Sequence, residues 1–257
     1  MCNRIRVWLV PAVAALCCGG LTAQERAAGE PQPVEQTVAG QTAGGEPAKE
    51  QPIQPPPAAE LRARDLAVRA DLGRRIEEIA ADPQRRQRYL REARQRAGLC
   101  RHCHGDDGNS LSPDLPSLAG QTPVYLVDQF QRFADGRRQD PWMGSLARAL
   151  TDEDKIRLAL YYAGKELAPA GSGDPALLDK GRNLYERFCV ECHGIDGRGR
   201  EGYARLAGQQ PGYLVKVLDA FKSGTGARYN PWMSEPAALL ESDEDVRAVA
   251  AFLAGLE

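Results

Sequence analysis

Two copies of one pentapeptide, Cys100-Arg-His-Cys103-His104 and Cys189-Val-Glu-Cys192-His193, hold four of the seven cysteines and all three histidines of the chain. CxxCH is the attachment signature of c-type haem. The two thiolates add to porphyrin vinyl groups, and the adjoining histidine is held beneath the iron as its first axial ligand. Two copies therefore predict two covalently bound haem c groups, attached at Cys100, Cys103, Cys189 and Cys192, with His104 and His193 as iron ligands. A chain so built has to wrap two large apolar cofactors. An aromatic content of only 6% is then no obstacle to a core.

A six-coordinate iron needs a second strong ligand, and the sequence offers few. Apart from Met1 there are two methionines, Met143 and Met233, each in a Pro-Trp-Met tripeptide about forty residues after its CxxCH. A thioether raises the potential of haem iron, which suits a carrier cycling between Fe(III) and Fe(II). The pairing is His104 with Met143 and His193 with Met233. His102, the remaining histidine, lies between two haem-bound cysteines, where it cannot reach the far face of its own haem. Bis-histidine ligation is thereby excluded.

Paired CxxC motifs also build tetrahedral zinc sites, and a single CxxC can be a redox dithiol. Zinc ribbons join their pairs over short gaps, whereas 85 residues separate Cys103 from Cys189. A thioredoxin-like site needs a strand-helix context and leaves the two Pro-Trp-Met tripeptides unexplained. The balance of 33 basic against 35 acidic residues argues against nucleic acid as a partner.

The N-terminal segment 1–23 reads as a secretory signal: Arg4 and Arg6 precede an apolar run from Val7 to Cys18, then small residues through Ala23. With Pro11 inside it, the run is short for a membrane span, which needs ~20 residues. Removal of the segment would leave every remaining cysteine in a haem site and place the chain in the periplasm. An alternative, lipid attachment at Cys17 or Cys18, is a poor match to the preceding Ala-Ala-Leu.

The chain is internally repeated. Leu118-Ala-Gly-Gln121 recurs as Leu206-Ala-Gly-Gln209, Tyr125-Leu-Val as Tyr213-Leu-Val, Pro141-Trp-Met as Pro231-Trp-Met, and Thr151-Asp-Glu-Asp as Ser242-Asp-Glu-Asp. Offsets between copies run from 88 to 91, so this is a duplicated unit with one haem per copy. The pattern predicts an all-α fold: a disordered Pro/Gln/Glu-rich linker over 24–60, a basic amphipathic helix over 61–82, one domain over 83–167, an interdomain linker over 168–175, and a second domain over 176–257. Thr151 and Ser242 are predicted N-caps. Pro123 and Pro211 open shorter helices. Gly136, Gly144, Gly224 and Gly226 are expected to punctuate the loops that carry each methionine over its haem. Leu61, Val68, Leu72, Ile76 and Ile79 form the apolar stripe of the first helix; Ile156, Leu158, Leu160 and Tyr161 form that of a later one.

Three features keep two readings each. The eleven arginines against six acids across 61–98 are either a docking face for an acidic partner or anionic lipid surface, or a solvated helix packing its stripe on the haem domain. Arg137, Arg138 and Arg228 either pair with haem propionates or are solvated loop residues. Trp142 and Trp232 wall the haem crevice or simply pack.

From about Ala93 onward the chain resembles the dihaem cytochromes c4, on the strength of CHGDDGNS after the first haem motif, PSLAGQ, YLVDQF, LTDEDKIRLALYYAG, GRNLYERFCVECHGIDGRGR and RLAGQQPGYL. The resemblance implies two tandem class I cytochrome c folds in one periplasmic chain, moving electrons between respiratory complexes and terminal oxidases. It implies that Pro116 offers its carbonyl to the first haem histidine, a role that falls to Ala204 in the second repeat. The first repeat lacks the spacing of Gly181 and Tyr185 before its CxxCH, and the helix at 61–80 lies outside the resemblance. The leading functional expectation is a non-enzymatic carrier with redox-protein partners: a respiratory complex or dehydrogenase as donor, a terminal oxidase as acceptor. The alternatives are the cytochrome subunit of a periplasmic dehydrogenase and a dihaem peroxidase. The sequence carries no signature of a particular oligomeric state.

Overall fold

The computed structural model describes residues 58–256 apart from 172, 201, 225–227 and 229. The signal reading over 1–23 with Cys2, Cys17 and Cys18, the linker reading up to residue 57, and Gly226 lie outside the described residues. Residues Gln54–Glu257 belong to one compact unit.

Helices make up its regular structure. The only β-type pairing among the described residues is an isolated antiparallel bridge between Arg138 and Arg228. Helix α1 (Ala58–Ala81) starts three residues before the predicted basic segment. Asp82 then breaks the chain and caps α2 (Pro83–Arg96), accepting the amides of Gln84 and Arg85 at 2.9 and 3.0 Å. The first repeat continues through α3 (Arg101–His104), α4 (Pro123–Ala134), α5 (Pro141–Ala149) and α6 (Asp152–Ala163). The second repeats the series as α7 (Leu178–Phe188), α8 (Val190–His193), α9 (Pro211–Ser223), α10 (Pro231–Ala238) and α11 (Asp243–Ala254), entered through a short 3-10 turn at Pro175–Leu177.

Local chemistry accounts for the helix starts. Thr151 and Ser242 each form a capping box, their hydroxyls accepting from the amides of Asp154 and Asp245 while those carboxylates accept the cap amides in return. Pro123 and Pro211 sit in the first turn, where the missing N–H costs nothing. The methionine segments depart from expectation. Met143 and Met233 lie in the first turns of α5 and α10 rather than on glycine-punctuated loops. Asp140 caps α5 by accepting from Trp142 and Met143, and Asn230 caps α10 by accepting from Trp232. Gly144 is consequently buried inside a helix. Gly136, at φ +83°, and Gly224, at φ +60°, do end helices, as the sequence suggests.

Buried side chains gather into one core per repeat. The first holds Tyr89, Phe130, Phe133, Ile156, Leu158 and Tyr162. The second holds Tyr185, Leu214, Leu240, Val246, Val249 and Leu253. Tyr162, rather than Tyr161, is the fully buried ring of α6, because α6 meets α2 and α4 on a face one position on. In α1, Leu72, Ile76 and Ile79 enter the first core, but Val68 is exposed. The Leu61 side chain lies outside the described residues; among those described, the buried part of the stripe lies in the C-terminal half of α1. Its N-terminal half also meets the second repeat: the Arg62 guanidinium lies 4.8 Å from the centre of the Trp232 ring and that of Arg69 lies 5.4 Å from Tyr203. Helix α1 thus packs part of its stripe on the first haem domain, as the second of the two sequence readings has it.

Ile79 is fully buried, so truncating it to alanine leaves a cavity that α1 cannot close while its arginines hold it in place. Ile79→Ala is expected to lower unfolding stability by about 2–5 kcal/mol in denaturant titration. A loss well below that would mean that α1 does not share the first core.

Candidate functional site

In each repeat a single helical turn assembles the haem motif. Cys100 is buried, Cys103 is exposed, and His104 follows with its amide bonded to the Cys100 carbonyl at 2.9 Å. The second copy places Cys189 and Cys192 half-buried and bonds the His193 amide to Cys189 at 3.1 Å. All four sulfurs are unpaired. Burial pushes the Cys189 thiol up to about 12 and raises that of Cys100. Such thiols are protonated and poorly suited to redox exchange on their own. The two pairs belong to different repeats, and among the described residues no three His, Cys, Asp or Glu side chains are grouped to hold a metal ion.

Both histidines are buried, and both are fixed the same way. Nδ1 of His104 lies 2.8 Å from the Pro116 carbonyl, and Nδ1 of His193 lies 2.9 Å from the Ala204 carbonyl. A carbonyl only accepts, so Nδ1 carries the proton and Nε2 keeps its lone pair. Desolvation is the main influence holding both rings neutral. Nε2 of His193 is buried without a hydrogen-bond partner. An orphaned, deprotonated imidazole nitrogen beside two free thiols is the donor set of a covalently attached haem, and the second repeat supplies it in its CxxCH turn, while the first repeat places His104 and its two cysteines in the same turn. The replacement of Pro116 by Ala204 leaves the carbonyl bond intact, since every residue carries that group.

Glycines let the chain turn after each histidine. Gly105 and Gly194 adopt φ +84° and +82°. At Gly105 a Cβ would stand 2.0 Å from the Asn109 carbonyl oxygen, so no other residue fits. Beside Cys100 opens a cavity of about 460 Å³ walled in part by Leu146, Leu150 and Leu158. Met143 packs from α5 against the same core that includes Cys100. Met233 is half-buried on α10. Trp142 is 86% exposed, whereas Trp232 lies beneath Arg62. The two tryptophans are therefore not equivalent.

The three loop arginines separate. Arg137 is exposed and paired with Asp135 at 2.6 Å, the solvated alternative. Arg138 and Arg228 turn inward. Arg138 donates to Gln129 Oε1 at 2.8 Å and to the Tyr213 hydroxyl at 3.1 Å; Arg228 donates to Tyr213 at 2.9 Å and to Tyr125 at 2.6 Å. Neither has a carboxylate within ion-pair distance among the described residues. Although burial opposes its ionisation, the Tyr213 hydroxyl is held at about 8, because the two guanidiniums outweigh desolvation. Each guanidinium also lies over a phenylalanine ring, Arg138 over Phe133 and Arg228 over Phe221, and two half-buried cations with neutral neighbours form a setting for carboxylates such as haem propionates. Sequence reasoning had the repeated Tyr125 and Tyr213 in view as a motif and missed this role. The signal was their recurrence in an otherwise aromatic-poor chain.

Second-repeat Tyr185 adds an anchor. Its hydroxyl, fully buried, donates to the Gly194 carbonyl at 2.5 Å. At the offset of 89 that relates Cys100 to Cys189, the first repeat holds Glu92 and Arg96 where the second holds Gly181 and Tyr185.

Comparison with known proteins agrees with this arrangement. A family model described as cytochrome c matches residues 178–257. The cytochrome c4 of Thiocapsa roseopersicina is 38% identical over 170 residues, an alignment covering 62% of this chain and 88% of that protein. A protein of Thiomonas intermedia named thiosulfate dehydrogenase electron acceptor is 32% identical over 172 residues, covering 62% of this chain and 78% of its own. The crystal structure of reduced recombinant cytochrome c4 from Pseudomonas stutzeri superposes with a TM-score of 0.60 at 28% identity, covering 65% of this chain and 98% of that one.

Tyr185→Phe removes one of two hydrogen bonds to the Gly194 carbonyl, the other coming from the Gly197 amide. It is expected to cost about 1 kcal/mol in unfolding stability. An unchanged midpoint of denaturation would show that the hydroxyl does not hold the turn after His193.

Proposed function

The chain belongs to the dihaem cytochrome c4 family, and from that premise we propose that it works as a periplasmic shuttle, taking single electrons from a respiratory complex or dehydrogenase and passing them to a terminal oxidase or another acceptor. It is an electron-transfer cytochrome carrying covalent haem c. The observation that carries the fuller reading is the matched pair of buried histidines, each with Nδ1–H on a backbone carbonyl so that Nε2 keeps its lone pair, inside a CxxCH turn.

When bound, each haem supplies an iron that accepts and returns one electron. Cys100 with Cys103, and Cys189 with Cys192, hold the two groups as thioethers. His104 and His193 present Nε2 in a fixed direction, because the carbonyl bond at Nδ1 permits only one tautomer and one ring orientation. Met143 and Met233 would supply the second ligands, and their place in the first turn of a capped helix limits their motion. Arg138 and Arg228 would hold the propionates, whose charge would neutralise the paired guanidiniums.

Ligand saturation argues against peroxidase chemistry, which needs a releasable iron site and a distal acid-base group. His102 is exposed, and its Nδ1 faces the Gly98 carbonyl at 3.2 Å. A second reading is supported by the name of the Thiomonas intermedia relative: the donor is a dehydrogenase, with the chain as its electron acceptor. The exposed arginines of α2, Arg86, Arg88, Arg91 and Arg94, give that partner a basic face on which an acidic surface would dock. No helix among the described residues is long and apolar enough to cross a membrane.

Spectroelectrochemical titration of the haem-loaded chain, repeated with carbon monoxide and with peroxide, tests the carrier reading. Two low-spin centres indifferent to both ligands are expected, and Met143→His should lower the potential of the first centre alone. A centre that binds either ligand rapidly, or a variant with unchanged potentials, would overturn it.

A further inference from the structure

The Leu-Ala-Gly-Gln motif ends in a glutamine in each repeat, and both glutamines are buried, each 5% exposed. Each reaches into the opposite repeat. Gln121 Oε1 accepts the amide N–H of Arg205 at 2.6 Å, and its Nε2 donates to the Arg205 carbonyl at 2.9 Å. Gln209 holds Ser117 identically, accepting from its amide at 2.7 Å and donating to its carbonyl at 3.0 Å. Ser117 and Arg205 immediately precede the two motifs, so the repeats exchange equivalent clamps.

The peptide that each clamp grips is the one that orients a histidine. The Arg205 N–H lies in the same planar unit as the Ala204 carbonyl, which accepts from His193. The Ser117 N–H shares its plane with the Pro116 carbonyl, which accepts from His104. The peptide bonds of the described residues are trans, so N–H and C=O point to opposite sides of each unit. A glutamine from one repeat therefore sits on one side and a histidine of the other repeat on the opposite side. Hydrogen-bond chains polarise their members, strengthening each by about 10–30%. Donation to the glutamine makes the carbonyl a better acceptor, and a firmer bond at Nδ1 makes the imidazole a more basic ligand.

We infer that Gln121 and Gln209 are positioning residues for the haem histidine of the opposite repeat, Gln121 acting on His193 through the Ala204–Arg205 peptide and Gln209 acting on His104 through the Pro116–Ser117 peptide. The inference rests on His104 and His193 being iron ligands. Its consequence is crossed control: neither repeat alone contains the full set of bonds that fixes its own histidine. Other contacts between the repeats leave these peptides untouched, among them Tyr213 N–H to the Pro113 carbonyl at 2.7 Å and Gln210 Nε2 to the Ser110 carbonyl at 2.6 Å.

Gln121→Leu and Gln209→Leu, made in the full haem-loaded chain, keep side-chain volume and net charge while removing both hydrogen-bonding groups. The reading is the equilibrium constant for distributing one electron between the two haems, followed by potentiometry with each haem assigned by NMR. A less basic imidazole stabilises Fe(III) less, so the potential of the opposite site rises. Gln121→Leu should move the electron toward the His193 site and Gln209→Leu toward the His104 site. Each change is expected to be at least threefold, about 28 mV at about 59 mV per tenfold for one electron. Gln210→Ala, which breaks an interface bond away from both peptides, should leave the constant unchanged. If a leucine variant accumulates with one haem missing, loss from the opposite repeat supports the inference and loss from its own repeat overturns it. Equal shifts at both sites, a shift at the substituted repeat's own site, or no shift would also overturn it. A wild-type chain without two covalent haems would instead remove the ligand assignment beneath it.

Discussion

The hydrogen bond from each haem histidine to a backbone carbonyl sets the path of the chain around it. For Nδ1 to meet that carbonyl, the turn after the histidine must reverse at once, which Gly105 and Gly194 do at positive φ. The returning loop is then tied to the next glycine of the turn. The Gly108 carbonyl accepts from Leu118 and Ala119, and that of Gly197 from Leu206 and Ala207. Loop closure thus fixes Pro116 and Ala204, and the same closure aims Gln121 and Gln209 at the opposite repeat. One interaction type, used twice, links ligand orientation to the joint between the repeats.

Duplication did not leave two equal halves. Around the second site, Gly181 allows α7 to cross α11 so closely that a Cβ would stand 2.0 Å from the Ala248 carbonyl oxygen, and Tyr185 reaches Gly194 from that crossing. The first repeat has Glu92 and Arg96 at those spacings before its CxxCH and has α1 packed on it, with Leu72, Ile76 and Ile79 in its core. A charge cluster backs that packing. Arg132 binds Asp128 at 2.8 Å and Asp65 of α1 at 2.6 Å, and Arg69 binds Asp65 at 3.0 Å. These pairs are largely shielded from water, so each depends on its partner: removal of one charge would strand another. Because Arg62 and Arg69 lie over Trp232 and Tyr203, α1 also joins the repeats, outside the stretch that resembles cytochromes c4.

Local signals were legible in the sequence. The haem turns, the capping residues Thr151 and Ser242, and the helix starts at Pro123 and Pro211 each depend on a few adjacent residues, and the structure has them at those positions. The duplication exposed the all-α plan. Placement of Met143 in a helix was not legible, because Gly144 reads as a breaker when the stabilising cap from Asp140 is not weighed. The outward turn of Val68 was missed because periodicity reports a stripe without its length. Gln121, Gln209 and the cluster around Tyr213 were visible only as repeated letters. Their roles rest on contacts 75 to 103 residues apart, which no spacing rule contains.

Diffraction from crystals of the haem-loaded chain at the iron absorption edge addresses the central claim most directly. The account predicts two iron peaks, each bonded to Nε2 of His104 or His193 on one side and to the sulfur of Met143 or Met233 on the other. A single iron, or a sixth ligand other than these methionines, would contradict it.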